Sequence, residues 1–510
     1  MSTGSAQAQA WFDQGLVLTY GYNHEEAIRS YERALELDPD CAMAHWGIAY
    51  AAGPHINKPV MDEQASLVAY EHSRRASELA RAGGAGDVER DLIEALQARY
   101  AWPPPADRAP LERAYADAMR SVWQRHAEDA DVGALFAESL MDLRPWDLWT
   151  ADGQPQPETP EILQTLETVL ARQPDHVHAN HLYIHAVEAS PDPGRALAAA
   201  DALRTRVPDS GHLAHMPSHI DVRVGHYQQA ILANQLAAQA DRRYVEWAGR
   251  GGGFYAMYRA HTLHFLAWAA MYDGQSALAR QAAQDMLAAL PDDVVDALPD
   301  VLEGFLALPY HVDVRFGDWD AILDAPDPGP DRPTTRAMRH YARGLALSAL
   351  GRLDEARAER AAFDAAYAAV PETVYIGNNG ARTVLDIGRL MLAGELLYRE
   401  GRHDQAFAVL AEAVARDDAL RYDEPWGWMQ PARHALGALL LEQGRVAEAE
   451  AVYRADLIRH PGNGWALHGL AECLHRLGRE AEARQAESDF RAAFARADVA
   501  PPGSCYCRRG

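Results

Sequence analysis

Histidines at repeated spacings are the side chains of this sequence best suited to bind a ligand or to take part in catalysis. The same three positions after Pro174 and after Pro208 carry histidine, and each histidine has its counterpart 34 residues later (212 − 178 = 34). Two more occupy the first two of these positions in the next stretch, where Trp268 takes the third. The full set is His178, His181, His185, His212, His215, His219, His261 and His264, eight of the chain's 22 histidines.

Three- and four-residue steps place side chains on one face of a helix, so the histidines of each stretch are expected to share a face with Glu188. Imidazoles at positions i and i+4 can chelate one metal ion. Because packed helices lie about 8–10 Å apart, histidines from neighbouring helices can meet at a shared ion. Imidazole suits copper, iron and zinc, and we expect a transition metal in that order of preference.

An ion held by imidazoles with an open coordination position activates dioxygen or water. We therefore expect a copper- or iron-dependent oxidoreductase acting on a small molecule or peptide, ahead of a zinc hydrolase; no catalytic residue is singled out. Metal storage or delivery is one alternative. Another is a metal-free scaffold that binds a protein or peptide partner in a groove, and a third is a sensor of pH near 6.

Cysteines are few: Cys41, Cys473, Cys505 and Cys507. Soft thiolates favour copper(I) or zinc, so the Cys-x-Cys pair near residue 506 offers further metal ligands, or else forms a disulfide. Cys41 and Cys473 are expected to pack as small apolar side chains. So small a number does not build a disulfide framework in a chain of 510 residues.

The elements that position the histidines follow a repeat. In the segment 24–40, small, aromatic, small and proline residues stand at Ala27, Tyr31, Ala34 and Pro39. Elsewhere a glycine is followed five residues later by an alanine; these glycines are Gly225, Gly274, Gly351, Gly401, Gly444 and Gly478. The pattern resembles the tetratricopeptide repeat, whose period is about 34 residues.

That resemblance implies an all-α, right-handed superhelical solenoid of helical hairpins with loop insertions, whose first helices line a concave groove. The stretches HLYIHAVEAS, GHLAHMPSHI and RPWDLW are similar to those of long bacterial tetratricopeptide-repeat proteins of undefined biochemical role. By the same register, His311 and His434 are expected to face the groove. His340 falls at a packing position.

Interruptions suggest how the chain is divided. Loop-like segments fall at 53–65, 101–110, 144–160 and 324–333. We predict N-terminal repeats over 1–130, histidine-rich repeats over 131–325, C-terminal repeats over 326–499 and an irregular tail over 500–510.

A net charge of −25 and a pI near 5.3 make nucleic acid an unfavourable partner, because phosphate backbones repel an acidic chain. The first residues lack a basic start followed by an apolar core, so a secretory signal is not expected. No run of 18 apolar residues predicts a membrane span. We expect a cytoplasmic protein without a membrane partner.

Overall fold

The computed structural model describes residues 1–249 and 251–508, and it divides into two compact units, Met1–Ile220 and Asp221–Gly510. Helices follow one another almost throughout the described residues, so the predicted all-α fold is confirmed. The division between 220 and 221 falls inside the predicted histidine-rich part. The predicted four-part division stays a prediction.

The first unit is built from helical hairpins. Its helices are α1 (Ala6–Tyr20), α2 (His24–Leu37), α3 (Ala42–Ala51), α4 (Glu63–Leu79), α5 (Asp87–Gln97), α6 (Ala109–Arg125), α7 (Ala130–Met141), α8 (Thr159–Arg172), α9 (Val177–Val187), α10 (Leu197–Leu203), α11 (Gly211–His215) and α12 (Pro217–Arg223), the boundary between the units falling within α12. Short π- and 3₁₀-helical turns stand at Ala80–Gly84 and Pro193–Ala196.

The second unit continues the same architecture. Its helices are α13 (Tyr227–Ala248), α14 (Tyr255–Asp273), α15 (Ser276–Ala289), α16 (Asp292–Ala297), α17 (Pro299–Leu302), α18 (Leu308–Phe316), α19 (Trp319–Asp324), α20 (Pro333–Ala349), α21 (Leu353–Ala369), α22 (Ala381–Arg399), α23 (His403–Asp418), α24 (Ala432–Glu442), α25 (Val446–Arg459), α26 (Gly464–Arg476) and α27 (Glu480–Ala493). A 3₁₀ turn spans Glu303–Ala307, and strands β1 (Tyr375–Ile376) and β2 (Asn379–Gly380) pair antiparallel.

One buried tyrosine holds the first hairpins together. Tyr31 of α2 is wholly buried, and Gly15 of α1 and Gly47 of α3 both face its ring. A Cβ atom added at either glycine would lie 2.6 Å from the ring, closer than real contacts allow. The second unit repeats the arrangement around Tyr453. This is the close packing of small residues against an aromatic that the repeat pattern predicts.

The glycines of the repeat pattern follow the ends of helices. Gly225, Gly274, Gly351, Gly401, Gly444 and Gly478 all have left-handed φ angles, between 71° and 82°. Only glycine takes up this conformation without steric cost, so the chain can turn sharply into the second helix of each hairpin.

Loops also fall where the sequence predicts them. Segments 53–62, 98–108, 142–158 and 325–332 separate consecutive α-helices. Among the described residues, none of the helices has the length and hydrophobicity that crossing a bilayer requires.

The segment from 500 to 508 contains neither helix nor strand but packs closely on the second unit. Ser504 is buried, and its hydroxyl donates to the carbonyl of His434 at 2.7 Å. Arg315 donates to the carbonyl of Ser504 at 2.6 Å. Cys505 and Cys507 are joined as a disulfide, one of the two possibilities that the sequence raises. The last two residues of the predicted tail lie outside the described part.

Candidate metal centre

Helices α9, α11 and α12 bring six of the eight predicted histidines together in the first unit. Each of the six is at most 5% exposed; they are His178, His181, His185, His212, His215 and His219. Helix α11 ends at His215 because Pro217, two residues on, has no backbone N–H to continue the helix. The chain continues as α12 from Pro217, and His219 of α12 lies beside His215.

Three of these histidines form a group that we call the histidine triad: His181, His185 and His212. Their ligand atoms all lie within 4.8 Å of one another. Nε2 of His181 is 3.0 Å from Nε2 of His212. Nε2 of His185 is buried and has no hydrogen-bond partner among the described residues. Nitrogen lone pairs brought this close repel each other unless a proton or a cation lies between them.

A second group, which we call the histidine pair, consists of His215 and His219. Their Nε2 atoms are 2.7 Å apart and their ring centroids 4.7 Å apart. The hydroxyl of Ser218 lies 3.4 Å from Nδ1 of His215, so it stands on the far side of that ring. These two imidazoles thus present Nε2 to a common point.

Glu188, the residue after α9, connects the triad with the pair. Oε1 accepts from Nδ1 of His185 at 2.9 Å, and Oε2 accepts from Nδ1 of His219 at 2.5 Å. Burial raises the pKa of this carboxyl, but the imidazoles of His219 and His185 outweigh that effect and lower the pKa to about 2. An ionised carboxylate only accepts hydrogen bonds, so both histidines donate to it from Nδ1, and Nε2 is the nitrogen of each ring that lies away from Glu188.

His178 is hydrogen-bonded to a carboxylate other than Glu188. Its Nε2 lies 3.0 Å from Oε2 of Glu138, which also accepts from the hydroxyl of Tyr50. The ring of Tyr20 stacks on His178 with centroids 4.1 Å apart. Burial raises the pKa of the Glu138 carboxyl, but the interactions with His178 outweigh that effect and lower the pKa to about 2. His178 therefore lies beside the triad, hydrogen-bonded to a carboxylate.

Two of the triad histidines, His181 and His212, are kept in the form that binds metal. Burial is the main cause that lowers the pKa of His181 and of His212 well below the usual value, and neighbouring imidazoles add to it. These side chains are thus neutral at pH 7. Neutral imidazole is the species that coordinates a metal ion.

Sequence reasoning missed three residues of this region: Tyr22, His24 and His55. The ring of Tyr22 lies 4.7 Å from that of His181 and 5.3 Å from that of His212, centroid to centroid. Tyr22 has a φ of 55°, a strained conformation for a residue with a side chain, and such strain concentrates at functional sites.

The rings of His24 and His55 lie 4.5 Å apart, and both contact Tyr22. The sequence feature that could have pointed to these residues is the loop-like segment 53–65, which contains His55.

The other two predicted histidines, His261 and His264, lie on α14 of the second unit. Nε2 of His264 lies 3.0 Å from the sulfur of Met429, and burial lowers the pKa of this histidine to about 3. His261 contacts Phe265 edge to face. Their part in a common metal centre stays a prediction, as does that of Cys505 and Cys507.

Two histidines outside the set have defined partners. Nε2 of His434 lies 2.9 Å from Oδ2 of Asp456, and its Nδ1 accepts from Arg315 at 2.9 Å. His340 lies 2.7 Å from Oε2 of Glu359, in keeping with the structural role expected for it.

Two segments match family models described as tetratricopeptide repeat: residues 8–41 and residues 440–486. The chain contains tetratricopeptide repeats. The first match contains Tyr31 with its packing partner Gly15, and the second contains Tyr453 with Gly469. No curated protein matches this tetratricopeptide-repeat chain.

Solved structures similar to this tetratricopeptide-repeat protein are distant from it. The human IFIT1 dimer with m7Gppp-AAAA has a TM-score of 0.35 and 12% identity, covering 97% of this chain and 91% of that one. Yeast Tom70 has a TM-score of 0.29 and 12% identity, with the same coverage of both chains. At such scores the likeness supports no inference about function.

Tetratricopeptide repeats stack into extended surfaces that bind other proteins. The two matched segments therefore support a scaffold or protein-binding role for the chain.

Proposed function

We propose that this tetratricopeptide-repeat protein binds a transition metal ion at the histidine triad. The single observation that carries the proposal is the convergence of three buried imidazole ligand atoms within 4.8 Å, at His181, His185 and His212. Two nitrogens that bind one ion at about 2.0–2.1 Å stand about 2.9 Å apart at a right angle and about 3.3 Å apart at the tetrahedral angle. The 3.0 Å between His181 and His212 falls within that range.

Two features strengthen this assignment. Glu188 fixes Nδ1 of His185, which is the outer hydrogen bond that metal-binding histidines usually make. The donor set is all imidazole and contains no cysteine, which favours copper, iron or zinc over a closed structural zinc site. Copper is the first choice.

Catalysis is the second part of the proposal. An ion held by three imidazoles retains open coordination positions, which is the arrangement that activates dioxygen or water. Copper or iron would support oxidation of a small molecule or peptide, and zinc would support hydrolysis. Tyr22, packed against the triad, supplies an aromatic wall for the substrate side of the site.

Metal analysis of the full chain, purified without a histidine tag, tests the binding. We expect at least one equivalent of a transition metal. The variant His181→Ala/His212→Ala should bind one equivalent fewer, and the control His475→Ala, whose side chain is exposed and distant in sequence, should bind as much as the wild type. Less than one equivalent, with no uptake of Cu²⁺ on reconstitution, rejects the proposal.

Oxygen uptake with ascorbate as reductant tests the catalytic part. Copper-loaded protein is expected to consume dioxygen, and His212→Ala is expected to abolish the consumption. Full loading without any oxygen uptake would leave storage or delivery as the role of the ion.

The alternative is a scaffold that binds a protein partner without metal, and the observation in its favour is the pair of tetratricopeptide-repeat matches at 8–41 and 440–486. It predicts metal-free protein and a partner that remains bound in chelator. Loss of that partner on His181→Ala or His215→Ala would assign its binding to the histidine face.

A further inference from the structure

The histidine pair resembles part of the triad, because its two Nε2 atoms lie 2.7 Å apart and those of His181 and His212 lie 3.0 Å apart. We propose that the first unit holds two metal ions, one at His181, His185 and His212 and one at His215 and His219, coupled through Glu188. This inference rests on the proposed function and adds the number of ions and the way in which they are linked.

The pair has the geometry of a chelate. His215 ends α11 and His219 lies in α12, and although they are on separate helices their ring centroids are only 4.7 Å apart. Their Nε2 atoms are 2.7 Å apart, close to the separation of about 2.8–2.9 Å for two ligands at a right angle on one ion. Both side chains are at most 1% exposed.

The ligand atoms fall into separate groups. Those of His181, His185 and His212 lie within 4.8 Å of one another, and neither His215 nor His219 belongs to that group. Two neighbouring ions, each with its own imidazoles, fit this grouping.

Glu188 links the two positions through their ligands. Its two oxygens accept from Nδ1 of one triad histidine, His185, and of one pair histidine, His219. Each hydrogen bond engages Nδ1, so that Nε2 is the metal-facing nitrogen of the proposal, and it makes that imidazole a better donor. Glu188 is thus a positioning residue for both ions at once.

Copper stoichiometry of the full chain tests the inference. Apoprotein is loaded with excess Cu²⁺ and desalted, and copper is measured by elemental analysis. We expect two equivalents in the wild type and in the control His475→Ala, and one each in His215→Ala/His219→Ala and in His181→Ala/His212→Ala. Electron paramagnetic resonance should show spin-coupled copper in the wild type and an isolated Cu²⁺ signal in both double variants.

Glu188→Gln tests the coupling. The amide keeps the size of the side chain but offers one acceptor oxygen instead of two, so the affinities of both copper ions should fall together by about 10- to 100-fold. A change at one ion only would overturn the coupling. Should His215→Ala/His219→Ala not fold by circular dichroism, the single variant His219→Gln replaces it and should also bind one equivalent.

The two proposals fail differently. One equivalent in the wild type, unchanged in His215→Ala/His219→Ala or in His219→Gln, overturns the second ion and leaves the triad site standing. No copper in the wild type overturns both.

Discussion

At the scale of single residues, burial decides the chemistry of the histidines. His181 and His212 of the triad are neutral because water cannot reach them to solvate a positive charge, and their pKa values are lowered for that reason. The same physics acts on histidines far from the centre. His311 on α18 is buried against Trp428, and burial alone lowers its pKa to about 4.

His311 predicts a specific dependence of stability on pH. Its pKa is about 4 in the folded protein and near 6.5 in an unfolded chain, so the unfolded chain binds more protons between these values. The wild type should therefore lose up to about 3 kcal/mol relative to His311→Leu as the pH falls from 7 to 4. Urea unfolding followed by tryptophan fluorescence measures the difference. An unchanged gap between the two proteins at every pH would contradict it.

At the scale of helices, glycine and tyrosine set how closely the hairpins pack. A Cβ at position 47 would stand 2.6 Å from the ring of Tyr31, so Gly47→Ala forces the helices apart. We expect a loss of about 1–3 kcal/mol in the free energy of unfolding. The control Gly4→Ala, where nothing lies within 4 Å, should change it little. In the background Tyr31→Leu the cost of Gly47→Ala should shrink, and strict additivity would argue against this contact.

Arg315 holds helices α18, α24 and α26 of the second unit around the segment at 504. Its guanidinium lies 3.7 Å from the ring centroid of Trp465 and donates to both His434 and the carbonyl of Ser504. A lysine offers a single ammonium and cannot make this set of contacts.

Arg315→Lys should therefore lower stability by about 2–3 kcal/mol, read as a fall in the thermal midpoint. The exposed control Arg352→Lys, which pairs with Glu355 on the surface, should shift the midpoint little. Equal midpoints for both variants would refute the role given to Arg315.

At the scale of the whole molecule, local patterns in the sequence predict the repeats but not every member of the site. The helical hairpins, the glycine ends and the spacing of His181 and His212 all follow from a period of 34 residues. Tyr22, His24 and His55 do not, because they come from the first hairpins and a loop more than 100 residues earlier in the chain. Nothing in local spacing shows that the fold brings such distant segments to the triad.

The role of Glu188 is another limit of sequence reasoning. Its position on the histidine-bearing face suggests a ligand, and that stays a prediction. Its two oxygens lie against ring nitrogens of His185 and His219, which requires knowing how α9 and α12 pack. Side-chain partners across helices depend on three-dimensional packing, whereas the periodicity of one helix can be read along the chain.

Net charge gives a prediction for the whole chain. With a net charge of −25, the protein should not bind single-stranded RNA. It repels the phosphates electrostatically, and the release of counterions that drives the binding of basic proteins to nucleic acid does not occur. Fluorescence anisotropy with a labelled oligonucleotide at 50 mM salt should show no binding. Saturable binding that weakens steeply with added salt would contradict the prediction.

Anomalous diffraction at the copper edge, from crystals of the full chain loaded with Cu²⁺, tests metal binding at the triad most directly. We expect a peak about 2.0–2.2 Å from Nε2 of His181, His185 and His212, with a second peak beside His215 and His219. Loaded crystals with no peak at the triad, or with copper held only by other side chains, would contradict the assignment of this site.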